Sequence, residues 1–385
     1  MPVEVAPAVA ATSTTMEITV SKFELLRELT ATQGVVERKT TIPILSNYLF
    51  EAAGDKLSLT ATDLDLSLRT SCNAKVKKEG ACTIPARKLY DYVKLLPDAD
   101  ITIRLLENHW VSIRCGRSNT KMVGMAKSNF PGLPVFPSAG AIKIPAAVLR
   151  SMIAKTGFAI ASEESRYTLN GALMVLKPES ITMVATDGHR LAHVERSGEK
   201  FDGVSGEMKT LIPKKAMDEL KSLLDSDIET IDFAKDESTL FFRVGPRLLT
   251  SRQLTGQFPN YEAVLPRDNN KSVVLERVEL NDAVRRVSQL ADQRSHAVKF
   301  AVSTDGVEIS ASSPEYGEAK ETIEKEFKGE PIAIGFNSSY MLDFLGAAAD
   351  GPISIELKDE QSAGQMRPLA DESYRYRYII MPMRI

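Results

Sequence analysis

The chain has little of what usually announces a function. Positive charge is not in excess: lysine and arginine number 48 against 51 aspartates and glutamates, a net −3 at pH 7. A protein that gripped DNA by phosphate neutralisation alone would be basic. Nucleic acid is therefore either not a partner or is held by something other than tight charge pairing. Cysteine is scarce, and Cys72, Cys82 and Cys115 show no paired C-x-x-C spacing; they read as reduced thiols filling core positions in a cytoplasmic protein. No apolar run approaches the roughly 18 to 20 residues that span a bilayer, so no membrane partner is expected. Residues 1–15 carry one charge, Glu4, and no basic residue. They lack the positive start of a secretory signal and read as a disordered extension before Met16. Also missing are G-x-x-x-x-G-K-[ST], G-x-G-x-x-G, H-E-x-x-H and a nucleophile elbow. No catalytic residue, metal site or cofactor is expected.

What is present is a repeat. Ala185-Thr186-Asp187 follows an apolar alternating run, Ile181 to Val184, and Ala61-Thr62-Asp63 follows Leu57 to Thr60 at an offset of 187 − 63 = 124. The neighbours keep step. Ile84-Pro85-Ala86-Arg87-Lys88 matches Ile212-Pro213-Lys214-Lys215-Ala216, and Phe130-Pro131 matches Phe258-Pro259, both at 213 − 85 = 128. A more worn third copy has Val307 to Ser312 for the strand and Ile334-Gly335-Phe336-Asn337-Ser338 for a helix start. With 43% hydrophobic and 26% charged residues, the composition suits a globular protein with several cores. Three domains of ordinary size are expected, at 16–137, 141–266 and 271–385.

Each repeat reads as strand, helix, strand-rich run, helix, strand-rich run, an α+β architecture with helices segregated from antiparallel sheets. In repeat one, Ser21 and Glu24 suggest a capping box, with Phe23, Leu26 and Leu29 as the apolar stripe. Leu64, Leu66 and Leu68 alternate with charges, which places them on one strand face and leaves Asp63 and Asp65 on the wet one. A second helix starts at Pro85 and buries Leu89, Val93 and Leu96. Repeat two predicts helices from Pro145 to Ala159 and Pro213 to Leu224; repeat three predicts them from Asn281 to Asp292 and Asn337 to Ala348.

Asp187, His189 and His193 are the obvious catalytic or metal suspects. The segment alternates like a strand, and four strand residues span about 13 Å, too far for one metal ion to bridge. The basic residues Arg87, Lys88, Lys94, Lys214, Lys215, Lys221, Arg285 and Arg286 lie on predicted helices. A solvated face accounts for each singly, whereas recurrence in repeats one and two favours a surface that attracts phosphates without reading bases. The terminal Met381-Pro382-Met383-Arg384-Ile385 follows directly from the alternating Tyr374 to Ile380; it is either a frayed tail or, because methionine is flexible and polarisable, the wall of a groove.

The stretch 185–192, Phe258-Pro259-x-Tyr261, Gly335-Phe336-Asn337-x-Ser339-Tyr340 and Met381 to Ile385 closely resemble the bacterial sliding clamps, the β subunits of DNA polymerase III. The resemblance runs from about Met16 to Ile385. It implies the DNA-clamp fold: three similar domains with two helices each on the inner face of antiparallel sheets, closed as a head-to-tail ring homodimer. It also implies a non-enzymatic role, threading duplex DNA without sequence preference. The polymerase III catalytic subunit, the clamp loader, other polymerases and mismatch-repair proteins are the implied partners, docking through short peptides. The family's DNA contacts fall on Lys39, Arg87 and Tyr167, beside the helix lysines Lys214 and Lys215. Its peptide pocket maps to Arg166, Leu169, Thr186, Gly188, His189, Arg190 and Leu191, then to Pro259, Val264, Asn337 and Tyr340, and finally to Met381, Pro382, Met383 and Arg384. Leu169, Leu191 and Val264 would floor the groove and the methionines would wall it. The implied dimer seam sets Arg117 and Lys121 against Glu315, Glu318 and Glu321, with Leu290 nearby. This chain departs from the family at Lys39 (for arginine), Glu163 (glutamine), Thr168 (tyrosine), Ala263 (arginine) and Ser295 (an aromatic).

The competing readings are a hydrolase built on Asp187 and His189, and a repeat-built scaffold that never surrounds DNA.

Overall fold

The computed structural model describes residues 15–37, 40–137, 140–162, 167–224, 227–370 and 373–384. The predicted N-terminal extension, apart from Thr15, lies outside them. Two compact bodies result: the chain up to Ala141 together with Ser222–Arg252, and Ile142–Lys221 together with Gln253–Ile385. Repeat two is therefore shared between the bodies, because its strands pair outward with those of its neighbours.

In the first body, one antiparallel sheet runs Lys75–Lys78, Glu17–Ser21, Asp100–Leu105, Trp110–Cys115, Ser118–Val123. A second runs Thr230–Lys235, Thr239–Val244, Arg247–Arg252, Leu66–Asn73, Lys56–Thr62, Asn47–Ala53, Gly80–Pro85. The seam between repeats one and two is the pairing of Leu66–Asn73 with Arg247–Arg252, Leu249 lying opposite Leu68.

The second body follows the same plan. Arg190–Ser197 of repeat two pairs with Arg375–Ile380 of repeat three, Leu191 opposite Ile379 and His193 opposite Arg377. That sheet continues through Gly364–Pro368, Pro352–Leu357 and Lys271–Glu276 on one side and Ser180–Thr186, Gly171–Lys177 and Met208–Pro213 on the other. A separate sheet runs Gly317–Ile323, Gly306–Ser313, Ala297–Ser303, Ile332–Asn337.

The described helices are α1 (Lys22–Ala31), α2 (Ala86–Leu95), α3 (Ala146–Thr156), α4 (Lys214–Leu223), α5 (Arg277–Val287) and α6 (Ser338–Ala347). Ser21 Oγ accepts the Glu24 N–H and caps α1, but Glu24 turns to Arg27 instead of completing the box. Of the expected stripe Leu29 is buried, but Leu26 is half-buried and Phe23 is 73% exposed; α1 buries Leu25 and Glu28 beside Leu29. A buried carboxylate is an unlikely choice for a sequence reader, and it shifted the expected face. Helix α5 begins four residues before Asn281 and ends at Val287, where the chain tightens into a 3₁₀ turn through Leu290. Asn281 is interior to it, its amide donating to Asp282. Helix α2 buries Leu89 and Val93 as expected, with Leu96 buried just beyond it.

The repeated Thr-Asp element is a turn. Thr186 Oγ1 donates to the Arg190 carbonyl and accepts the Gly188 N–H, while Asp187 Oδ1 accepts the N–H groups of His189 and Arg190. Thr62 and Asp63 do the same for Leu64, Asp65 and Leu66. Such side-chain clasps mimic backbone turns. They correct three expectations at once: Asp63 is a turn clasp, Leu64 is 53% exposed and off the buried face, and His189 belongs to a turn, not to a strand with His193. The turn needs a left-handed residue, which repeat two supplies as Gly188 (φ 91°) and repeat one as Leu64 (φ 84°); that conformation costs a non-glycine residue about 1 kcal/mol.

Cys72, Cys82 and Cys115 are free and buried; burial pushes the Cys72 and Cys82 thiols up to about 12.

Candidate peptide groove and nucleic-acid surface

In the second body, strand alternation sends Leu173, Val175, Leu191 and Ile379 to the face opposite α3 and α6. They form a buried cluster with Val184, Leu211 and Phe258, against which the half-buried Leu169, Leu254, Tyr261 and Leu265 pack. Phe258 belongs to this cluster while Pro259 beside it is exposed, and the segment leads into a 3₁₀ turn, Tyr261–Ala263, beyond which Val264 is 44% exposed. Of the three residues expected to floor a groove, Leu191 is buried in this cluster, Leu169 packs half-buried against it, and Val264 is exposed.

The 186–190 turn stands at one end of this face. Arg190 is its hub: Nε bonds Asp187 Oδ2 at 3.0 Å, Nη1 bonds Asp343 Oδ2 at 2.6 Å and Nη2 donates to the Phe158 carbonyl at 2.6 Å. Its guanidinium also lies 4.2 Å over the Tyr340 ring and 5.5 Å over that of Phe158. Burial disfavours the Arg190 charge, but Tyr378, Asp343 and Asp187 outweigh it and raise its pKa further. Arg190 is therefore a permanent cation tying the turn to α6. Asp343, Phe158 and Tyr378, which meet Arg190 here, lie far from it in sequence and match no motif.

The C-terminal segment is pinned rather than frayed. The Met381 N–H donates to the His189 carbonyl at 2.9 Å and the Met383 N–H to the Gly335 carbonyl at 2.8 Å. Met381 is 44% exposed and Pro382 and Met383 are half-buried, so an apolar edge faces solvent next to the cluster. Arg384 is exposed. Asn337 serves as the cap of α6, its Oδ1 accepting the N–H groups of Ser339 and Tyr340, while its amide donates to the Ser295 carbonyl. Thr186, Gly188, His189, Arg190, Tyr340, Met381 and Met383 thus come together through named contacts. Arg166 and Glu163 lie outside the described residues.

Of the expected DNA contacts, Lys39 lies outside the described residues. Arg87 is exposed in the first turn of α2, opposite the buried Leu89 and Val93. Tyr167 is 73% exposed in a 3₁₀ turn; Lys215 is exposed and Lys214 half-buried at the start of α4. At the expected dimer seam, Arg117, Lys121, Glu315 and Glu318 are exposed and Leu290 is half-buried. Glu321 is engaged within the chain, both its carboxylate oxygens accepting from Arg286.

His193 is 6% exposed and its Nδ1 has no hydrogen-bond partner among the described residues. Burial first, and then Arg377 and Arg375, push its pKa down to about 4, so the ring is neutral and lies against Tyr261.

A threefold repeat welded strand to strand, with an apolar groove beside its own C-terminal segment, defines a binding protein built by duplication. Comparison with known proteins makes this specific. Models of the DNA polymerase III beta subunit match residues 16–134 (N-terminal domain), 143–260 (central domain) and 262–384 (C-terminal domain). The beta sliding clamp of Caulobacter vibrioides is 35% identical over 376 residues, covering 96% of this chain and all of the relative. That of Vibrio cholerae is 32% identical, with the same coverage of each. Among solved structures, the Bartonella birtlesii sliding clamp bound to griselimycin superposes with a TM-score of 0.91 at 32% identity, covering 96% of this chain and all of that one. The C. crescentus clamp gives 0.90 at 35%, with the same coverage. The chain belongs to the DNA polymerase III beta subunit family, the beta sliding clamps; its role is that of a sliding clamp, and it is not an enzyme.

Proposed function

We propose that two copies of this chain close head to tail into a ring that threads duplex DNA in the cytoplasm and carries polymerases and their loader on the peptide groove. The free strand edges carry this reading. Within one chain, the strand after each repeat's Thr-Asp-type turn pairs with the last strand of the next repeat: Leu66–Asn73 with Arg247–Arg252, and Arg190–Ser197 with Arg375–Ile380. Repeating that rule leaves Gly317–Ile323 of repeat three and Ser118–Val123 of repeat one, which are both end strands. Unpaired edges invite association, and each matches what the other copy lacks. Ser67 faces Thr250 at the first seam. The equivalent positions, fixed by the hairpin pairs Ser312 with Glu318 and Cys115 with Ser118, set Glu318 opposite Lys121. Charges so placed fix register more than they add affinity.

Enclosure resolves the charge balance. A ring needs only weak contacts from Arg87, Tyr167, Lys214 and Lys215 to slide, so a net negative chain suffices. Tethering then keeps a polymerase at high effective concentration. The groove suits a short peptide with spaced leucine or phenylalanine side chains, each contributing about 1.5 to 3 kcal/mol when fully buried.

The test is retention on a nicked circular duplex after loading. The wild-type protein stays on the circle and is lost when the circle is cut. Lys121→Glu sediments as monomer and is not retained, and adding Glu318→Lys restores both. Retention that ignores the cut, or dimers unmoved by either change, would falsify the ring.

A further inference from the structure

Beyond the apolar cluster, the same sheet face of the second body carries an unusual concentration of guanidinium groups. A cavity of about 710 Å³ opens there, lined by Arg267, Arg367, Arg375 and Arg377 together with Pro266 and Gln365 among others, and its lining holds no carboxylate among the described residues. Strand alternation places Arg375, Arg377 and Ile379 on one face, and Arg377 lies two residues before Ile379 of the apolar cluster, about 7 Å along the strand. The groove floor therefore runs directly into the basic cavity.

These charges are only partly answered within the chain. Arg377 is held by neutral acceptors, its Nε donating to Gln365 Oε1 and an Nη to the Pro266 carbonyl. Arg367 pairs with Glu356, which also accepts from Gln365. Glu195 sits across the ladder from Arg375. Among the described residues, four guanidinium groups thus face two carboxylates, and no ion pair involves Arg267 or Arg375. Burial, and then the nearby Arg375 and Arg367, lower the Arg377 pKa, with Glu356 opposing, as expected where like charges are gathered without enough counter-charge.

We propose that this cavity extends the peptide groove and takes an acidic segment flanking the apolar anchors of the same partner peptide. The inference rests on the groove reading above and adds a charge requirement to it. Its grounds are continuity with the apolar floor and the unmatched positive charge, which planar carboxylates meet well.

The experiment compares three synthetic peptides by fluorescence anisotropy on the full chain: a core with a glutamine and spaced leucines, the core with a run of glutamates at either end, and the same runs made of glutamine. At low salt the glutamate version binds about fivefold tighter than its glutamine twin, at one terminus only, and the ratio falls toward one as salt is raised. In R267Q/R375Q, shown by circular dichroism to melt like the wild type, the ratio also falls toward one. A wild-type ratio near one, or an equal gain at both termini, overturns the acidic subsite while leaving the groove intact. Failure of the core peptide itself to bind overturns the groove reading instead. An oligothymidylate whose binding depends on Arg267 and Arg375, in place of the peptide, overturns the choice of partner.

Discussion

The two seams of this molecule use one backbone solution and two kinds of chemistry. Both are antiparallel pairings between a post-turn strand and the last strand of the next repeat, and both are backed by a helix. Under the first, Glu28 of α1 is fully buried and is held by Arg247 through both guanidinium branches at 3.0 and 3.2 Å, by Arg27 at 2.7 Å and by Thr70. Under the second, the ladder position of Arg247 is taken by Tyr376, which is buried, rests on Phe344 at 5.3 Å and donates to the Lys155 carbonyl. Tyr378 stacks on Phe344 at 4.9 Å and donates to the Tyr340 carbonyl. Duplication therefore preserved the strand pairing, which any backbone can make, and left the material beneath free to diverge. A buried ion pair adds little net stability but fails badly when halved; stacked rings contribute steadily by burial and contact.

The largest effect should come from halving the first seam's pair. Glu28→Leu leaves the half-buried Arg247 without its carboxylate, while Arg27 keeps Glu24, and should cost about 3 kcal/mol, whereas Glu28→Leu with Arg247→Met should recover most of it. Denaturant melts decide this, and equal losses in the single and double variants would mean the seam does not work through the pair.

Acid separates the seams next. The pKa of His193, at the second seam, falls from 6.5 in the unfolded chain to about 4 in the folded one. The unfolded chain therefore takes up the proton first, and stability is full above about 6.5 and lost progressively towards 4, by up to about 3 kcal/mol. The carboxyl of Glu28 is instead held below its usual 4.5: burial opposes this, but Arg247, Thr70 and Arg27 prevail. Its contribution persists above 4.5 and is lost only as pH drops through the lower folded value. Melting temperature followed from pH 7 to 4.5 should flatten in His193→Phe; an unchanged slope would show that His193 does not titrate in this way.

The smallest effect sharpens the second seam. Tyr378→Phe keeps the stack on Phe344 and removes one hydrogen bond, so a loss of about 1 kcal/mol is expected. A loss as large as that of Glu28→Leu would mean the hydroxyl, not the ring, holds this seam.

Much of the fold could be read in advance because period and spacing are local. Alternating runs such as Ile181 to Val184, Pro85 ahead of α2 and Ser21 ahead of α1 each state their structure within a few residues. The resemblance names residues of the 186–190 turn and of the C-terminal segment, and the fold joins these two through the Met381 N–H and the His189 carbonyl. What local pattern does not carry is set by partners far along the chain: nothing near Glu28 in sequence announces Arg247, and nothing near Asp343 announces Arg190. Asp63 and Leu64 depart from the alternation for a subtler reason, since a turn clasped by threonine and aspartate has the same alternating letters as a strand.

By itself the sequence determined that the chain is three copies of one strand-and-helix plan, because hydrophobic period and turn residues act over a few neighbours. Which edges those copies offer each other, which charges become buried, and where the apolar floor passes into an arginine-lined cavity were decided only in three dimensions. There, desolvation and strand register join residues that no local pattern relates.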